Sequence, residues 1–142
     1  MTVSQSSRIR GNSIILKLAG TDYSFDASSI VLENEEATAN VTTFADAANG
    51  GAYQYFFTIS GVQSYDSTSL WKKLWDIAGN TTAIAYVFNP WGVATPTTTK
   101  PNFTGTVLLK QKPKIGGDAG MDSYYTFDIR LDCQETPTVV TA

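Results

Sequence analysis

Only residues 67–79 carry a helical period in a chain whose other apolar residues alternate with polar ones, which restricts the fold to strands with one helix laid against them. Leu70, Trp71, Leu74, Ile77 and Ala78 recur at helical spacing and share one face, and Trp75 widens it, while Lys72, Lys73 and Asp76 fall outside it. Side-chain oxygens of Asp66, Ser67, Thr68 or Ser69 can accept from the amides of the first turn, and Gly79 with Asn80 tolerates the left-handed conformation that ends a helix. A helix of about three turns is marginal by itself in water, so Trp71 and Trp75 need a surface. The strand around Tyr55 and Phe57 offers one. An exposed indole stripe for binding is the alternative to this core packing.

The strands follow from alternation. Ile14, Leu16 and Leu18 alternate with Ser13 and Lys17, and Gly20-Thr-Asp22 supplies a turn before Tyr23 and Phe25, which predicts a hairpin. Ile30, Val31 and Leu32 open a strand running into Glu33, Glu35 and Glu36, after which the small polar residues up to Gly51 predict a long loop with an acidic root. Over 52–64, Tyr53, Tyr55, Phe57 and Ile59 oppose Gln54, Thr58 and Ser60, and Phe56 alone breaks the pattern. Further strands are expected over 81–88, 103–112 and 124–133. In the last, Tyr125, Phe127, Ile129, Leu131 and Cys133 oppose Tyr124, Thr126, Asp128, Arg130 and Asp132. Three prolines make 89–101 a loop carrying Trp91, an anchor either folded back on its own domain or inserted into a neighbour.

A chain of 142 residues fits one domain, 1–142, read as a polar N-terminal arm (1–12), a body of strands with the one helix (13–134) and a C-terminal tail (135–142). Arm and tail are too polar to order without a partner. No apolar run is long enough for a membrane span, and the first residues lack the apolar core of a secretory signal, so no membrane association or export is expected. The single cysteine, Cys133, is expected to be a small buried hydrophobe. The absence of histidine removes the commonest general base and every Ser-His or Cys-His pair. This disfavours most hydrolytic chemistry, and the sequence shows no catalytic residue, cofactor site or metal site. The net charge of −3 argues against gripping duplex DNA, and three cations against six carboxylates in 1–51 account for all of it. That acidic portion reads as a solvated face or as a wall that repels a polyanion.

The motifs Gly20-Thr-Asp-Tyr23, Ser67-Thr-Ser-Leu-Trp-Lys-Lys-Leu-Trp-Asp76, Pro101-Asn-Phe-Thr-Gly105, Ile115-Gly-Gly-Asp118 and Phe127-Asp-Ile-Arg-Leu-Asp132, in this order, resemble the tail tube (major tail) proteins of tailed bacteriophages, most nearly those of actinobacterial phages. The resemblance implies a mainly β fold, a β-sandwich with one flanking α-helix, whose copies form a ring, expected to be hexameric, with a continuous inner β-barrel. Stacked rings make a virion tube, assembled in the host cytoplasm, through which DNA passes without specific binding. The implied partners are the chain itself, the tape measure, the tail terminator and, in some tails, a sheath.

Strand parity supplies the expected site residues. Gln54, Thr58, Ser60, Thr126, Asp128, Arg130 and Asp132 point away from the core, onto what in a closed ring is either the channel or the outer surface, and they are taken as lumen-lining. Arg8, Arg10, Glu33, Glu35, Glu36 and Trp91 are the expected contacts between rings. Leu70, Trp71, Leu74, Trp75 and Ile77 form the core side of the helix. Rival readings are the tube of a contractile injection apparatus, which passes protein, and a monomeric ligand-binding sandwich using Trp91, Tyr53 and Tyr55. A carboxylate-only glycosidase drawing on Asp22, Asp26, Glu33 and Glu35 is disfavoured by the small domain.

Overall fold

The computed structural model describes residues 8, 9, 11, 13–36, 44, 53–79, 82–93, 95–121 and 124–141. Arg10, most of the N-terminal arm and nearly all of the loop expected after Glu36 lie outside the described residues. The strands are β1 (Ile15–Leu18), β2 (Thr21–Asp22), β3 (Ala27–Glu36), β4 (Tyr53–Val62), β5 (Ile84–Asn89), β6 (Asn102–Leu108), β7 (Thr126–Cys133) and β8 (Thr138–Val140), with the helix α1 (Leu70–Ile77) between β4 and β5. All pairings are antiparallel.

The eight strands form one hydrogen-bonded sheet in the order β2-β1-β5-β6-β7-β4-β3, with β8 added to β6, in place of the two separate sheets of a sandwich. The sheet folds over instead: Phe57 on β4 meets Tyr86 and Phe88 on β5 edge-on, with ring centroids 4.9 Å and 5.4 Å apart, although β4 and β5 are not sheet neighbours. Two wings therefore enclose one core, β3-β4-β7 on one side and β2-β1-β5-β6-β8 on the other. They join where β6 pairs with the end of β7 through Val107 with Cys133 and Leu108 with Asp132. The sheet is not closed, because β3 and β2 remain its ends.

Local chemistry accounts for the elements. Ala19 and Gly20 both take positive φ, 52° and 87°, which matches the two-residue turn whose twist suits a tight hairpin between β1 and β2. The helix is shorter than the expected 67–79 because Ser69 caps it, its Oγ accepting from the amide of Lys72 at 3.1 Å. A second first-turn amide, that of Leu70, donates to the Asp26 carboxylate 3.2 Å away. Leu70, Trp71, Leu74 and Ile77 are buried in the common core, and burial of each leucine contributes about 1.5–3 kcal/mol.

Trp71 enters the core with Phe57 as expected, whereas Trp75 does not. Trp71 stacks on Trp75 at 5.0 Å, meets Tyr65 edge-on at 4.6 Å, and donates its Nε1 hydrogen to the Lys114 carbonyl at 3.0 Å. Trp75 is only partly buried, with the Lys112 ammonium 4.4 Å from its ring centroid. Lys112 also donates to the Trp75 carbonyl, and β6 has ended at Leu108, so Lys110, Lys112 and Lys114 do not continue a strand.

Two further expectations are corrected. Glu33, Glu35 and Glu36 belong to β3 and not to a loop root, since their backbone continues the ladder opposite Phe56, Gln54 and Tyr53. The tail does not await a partner: Thr138, Val139 and Val140 pair with Thr104, Phe103 and Asn102 of its own chain.

Candidate functional site: the outer face of the β3-β4-β7 wing

Register fixes which side chains share this face. β4 pairs with β7 through Phe56 and Asp132, Thr58 and Arg130, Ser60 and Asp128, and Val62 and Thr126, and with β3 through Gln54 and Glu35, Phe56 and Glu33, and Thr58 and Val31. Because Phe57, Ile59, Phe127 and Leu131 are buried, the residues of opposite parity face outward. Gln54, Thr58, Ser60, Thr126, Asp128, Arg130 and Asp132 thus lie together on one surface, joined by Glu33 and Glu35. Glu36 has the other parity.

Arg130 organises the centre of this surface. Its guanidinium lies 3.8 Å from the centroid of Phe56, its Nη2 donates to the Glu35 carboxylate, and its Nε donates to Asp132 at 2.9 Å. The Gln54 amide donates to the same Glu35 oxygen. Alongside, Thr58 donates to Glu33 at 3.3 Å and Ser60 donates to Asp128 at 2.5 Å. Phe56, the break in the alternation of β4, is an apolar residue on the outer face kept from water by the arginine above it. Four carboxylates against one guanidinium leave the face three charges negative.

The hydrogen bond from Arg130, and after it that from Gln54, holds the Glu35 carboxyl below its ordinary pKa of 4.5, and the same carboxylate raises that of Arg130. A carboxylate with a folded pKa below its unfolded one favours folding fully above the unfolded value. That contribution fades as pH falls through the lower, folded value. In an NMR titration, Arg130→Gln is expected to move the Glu35 midpoint up towards 4.5; an unchanged midpoint would remove Arg130 as the cause.

The face has two open margins. Among the described residues β3 pairs with β4 alone, leaving a ten-residue edge. β7 meets β6 only at Asp132 and Cys133, so among the described residues its stretch 126–131 is paired on the β4 side alone. A groove of about 340 Å³ runs beside that second margin, lined by Lys110, Gln111 and Lys112 together with Asp128, Arg130 and Asp132.

The other expected site residues lie elsewhere. Trp91 folds back on its own domain: its amide donates to the Asn89 side chain at 2.9 Å, and the Lys100 ammonium sits 5.2 Å from its ring. Asn89, 1% exposed, also donates to Asn102 at 2.7 Å, so one buried amide spans the base of the loop. Gly92, which follows Trp91, has φ +75° and lies so near Ser13 that an added Cβ would fall 2.1 Å from its Oγ. Arg8 is exposed, and its neighbour Ile9 lines a cleft with Ser28, Ser29 and Ile30 at the start of β3. Cys133 is half-buried beside the Tyr86 hydroxyl, and burial raises the pKa of both groups.

Among the described residues no helix is long and apolar enough to cross a membrane. No family model and no curated protein matches this chain.

Proposed function

We propose that this protein is the ring-forming subunit of a phage tail tube, with the β3-β4-β7 wing as its contribution to an inner barrel. The observation that carries the reading is a polar, acidic sheet face with an open edge on each side. A ten-residue strand edge extends about 33 Å and exposes backbone donors and acceptors, which invites pairing unless a neighbour occupies it. Here the edge of β3, with Glu33, Glu35 and Glu36, meets the margin of β7, with Lys110 and Lys112, on the next copy. Such a contact uses different surfaces on the two partners, so it repeats from copy to copy and, where the rotation closes, makes a ring.

The wing face then lines the channel. Three net negative charges per copy, repeated around the ring, repel phosphate, and a conduit that does not hold DNA lets it pass. The reading assigns no catalytic residue and no cofactor. Its partners are further copies of the chain, the tape measure and terminator at the ends of the tube, and a sheath where the tail contracts. Its place is the virion.

Purified protein at high concentration is expected to sediment as rings and longer assemblies and to show tubes by negative-stain imaging. Sedimentation as a monomer alone, at high concentration and in several salts, would overturn the proposal.

A further inference from the structure

At the end of the wing where β3 begins, β4 ends and β7 begins, aromatic side chains stand in solvent: Phe25 is 98% exposed, Tyr124 82%, Tyr65 57% and Tyr125 47%. Ile115 is exposed beside them. Together the four rings present nearly three whole aromatic side chains, roughly 600 Å² at about 200 Å² each. Summed over this end of the wing, that area approaches the roughly 800 Å² that one partner contributes to a stable interface.

Gln63 makes much of this patch a fixed surface. Its Nε2 donates to the carbonyls of Gly116 and Thr126, both at 2.8 Å, while its Oε1 accepts from the Gly116 amide at 3.1 Å and from the Tyr65 hydroxyl at 3.3 Å. The segment holding Ile115 is thereby pinned to the ends of β4 and β7. Gly117 lies against the Tyr125 ring, where an added Cβ would come within 2.8 Å, and Tyr65 is braced by Trp71. Aromatic anchors held rigidly lose little freedom on binding.

We infer that this aromatic rim is the surface by which one copy stacks end to end on another, an inference that rests on the ring reading above. Strand ends form the rims of any barrel, whatever the tilt of its strands, so a patch confined to them faces along the tube axis. The open edges of β3 and β7 face sideways, towards neighbours in the same ring. The occupant is the opposite end of a second copy, because pairing rim to rim would stop at two rings and a tube must continue. The rim takes the role that sequence gave to Arg8, Arg10, Glu33, Glu35, Glu36 and Trp91.

The test is the double variant Phe25→Ser with Tyr124→Ser, which alters two exposed side chains, with its melting temperature checked against wild type. Pelletable tube mass is expected to fall about tenfold or more while single rings persist, because such anchors dominate interface energy. Three results would overturn the inference: tubes as abundant as wild type, loss of rings together with tubes, or a wild-type protein that never assembles. Only the last also removes the ring reading.

Discussion

Replacing Trp71 by Ala is expected to lower the unfolding free energy by about 3–5 kcal/mol, the cost of truncating a large buried aromatic. Trp71 is 6% exposed, so little water fills the space the ring leaves. The Lys114 carbonyl also loses its donor, and Trp75 and Tyr65 each lose a ring partner. Against a total of about 5–15 kcal/mol for an ordinary domain, this is a large fraction of the stability. Trp75→Ala should cost clearly less, since that ring is already partly in water. Urea unfolding of the two variants measures the difference. A loss below about 1 kcal/mol for Trp71→Ala would contradict the packing described, because buried aromatic truncations do not come so cheaply.

Reversing Asp128 and Asp132 to lysine together is expected to turn the wing from a surface that repels DNA into one that retains it. The face then passes from three net negative charges to one net positive charge per copy. Stability should change by no more than about 1 kcal/mol, because both carboxylates sit at the surface and their bonds to Ser60 and Arg130 are solvent-screened. Assembled variant protein should co-sediment with linear duplex DNA at low salt and release it as salt rises, since binding by added cations expels counterions from the phosphate backbone. Wild-type assemblies should leave the DNA in the supernatant. A variant that assembles and still ignores DNA at low salt would remove this face from the channel.

Much of the wing could be read in the sequence because parity is a local property. Once Phe127, Ile129 and Leu131 are recognised as core, Asp128 and Arg130 have nowhere to go but outward, and the register with β4 gathers Thr58 and Ser60 beside them. What the sequence concealed is non-local. Arg130 finds Glu35 across 95 positions, and the Leu70 amide finds Asp26 across 44, with nothing near either residue to announce the partner. Charge misled in one place: Glu33, Glu35 and Glu36 suggest a solvated loop, but a strand with one face in water accepts carboxylates there as readily as a loop does. The tail misled for a related reason. Its β-branched residues need only three positions of β6 to form a strand, and no pattern reveals that those positions are vacant. Phe56 looked like noise in an alternating strand and is instead the floor beneath an arginine.

The junction between the wings determines how force crosses the subunit. Val107 with Cys133, Leu108 with Asp132, and the Gln134 amide on the Thr106 carbonyl at 3.0 Å join β6 to the last residues of β7, just before the chain turns into β8. Elsewhere the wings meet through side chains, which slide more easily than a ladder of hydrogen bonds breaks. A load applied at β3 reaches β5 and β1 by two routes, along the ladders of β4 and β7 through this short seam and across the core through Phe57 against Tyr86 and Phe88. Any displacement of one wing against the other would therefore pivot on a line near Cys133, with each wing keeping its own ladder. In the tube proposed above, bending would then draw on small rotations inside the subunits before it disturbed the contacts between copies.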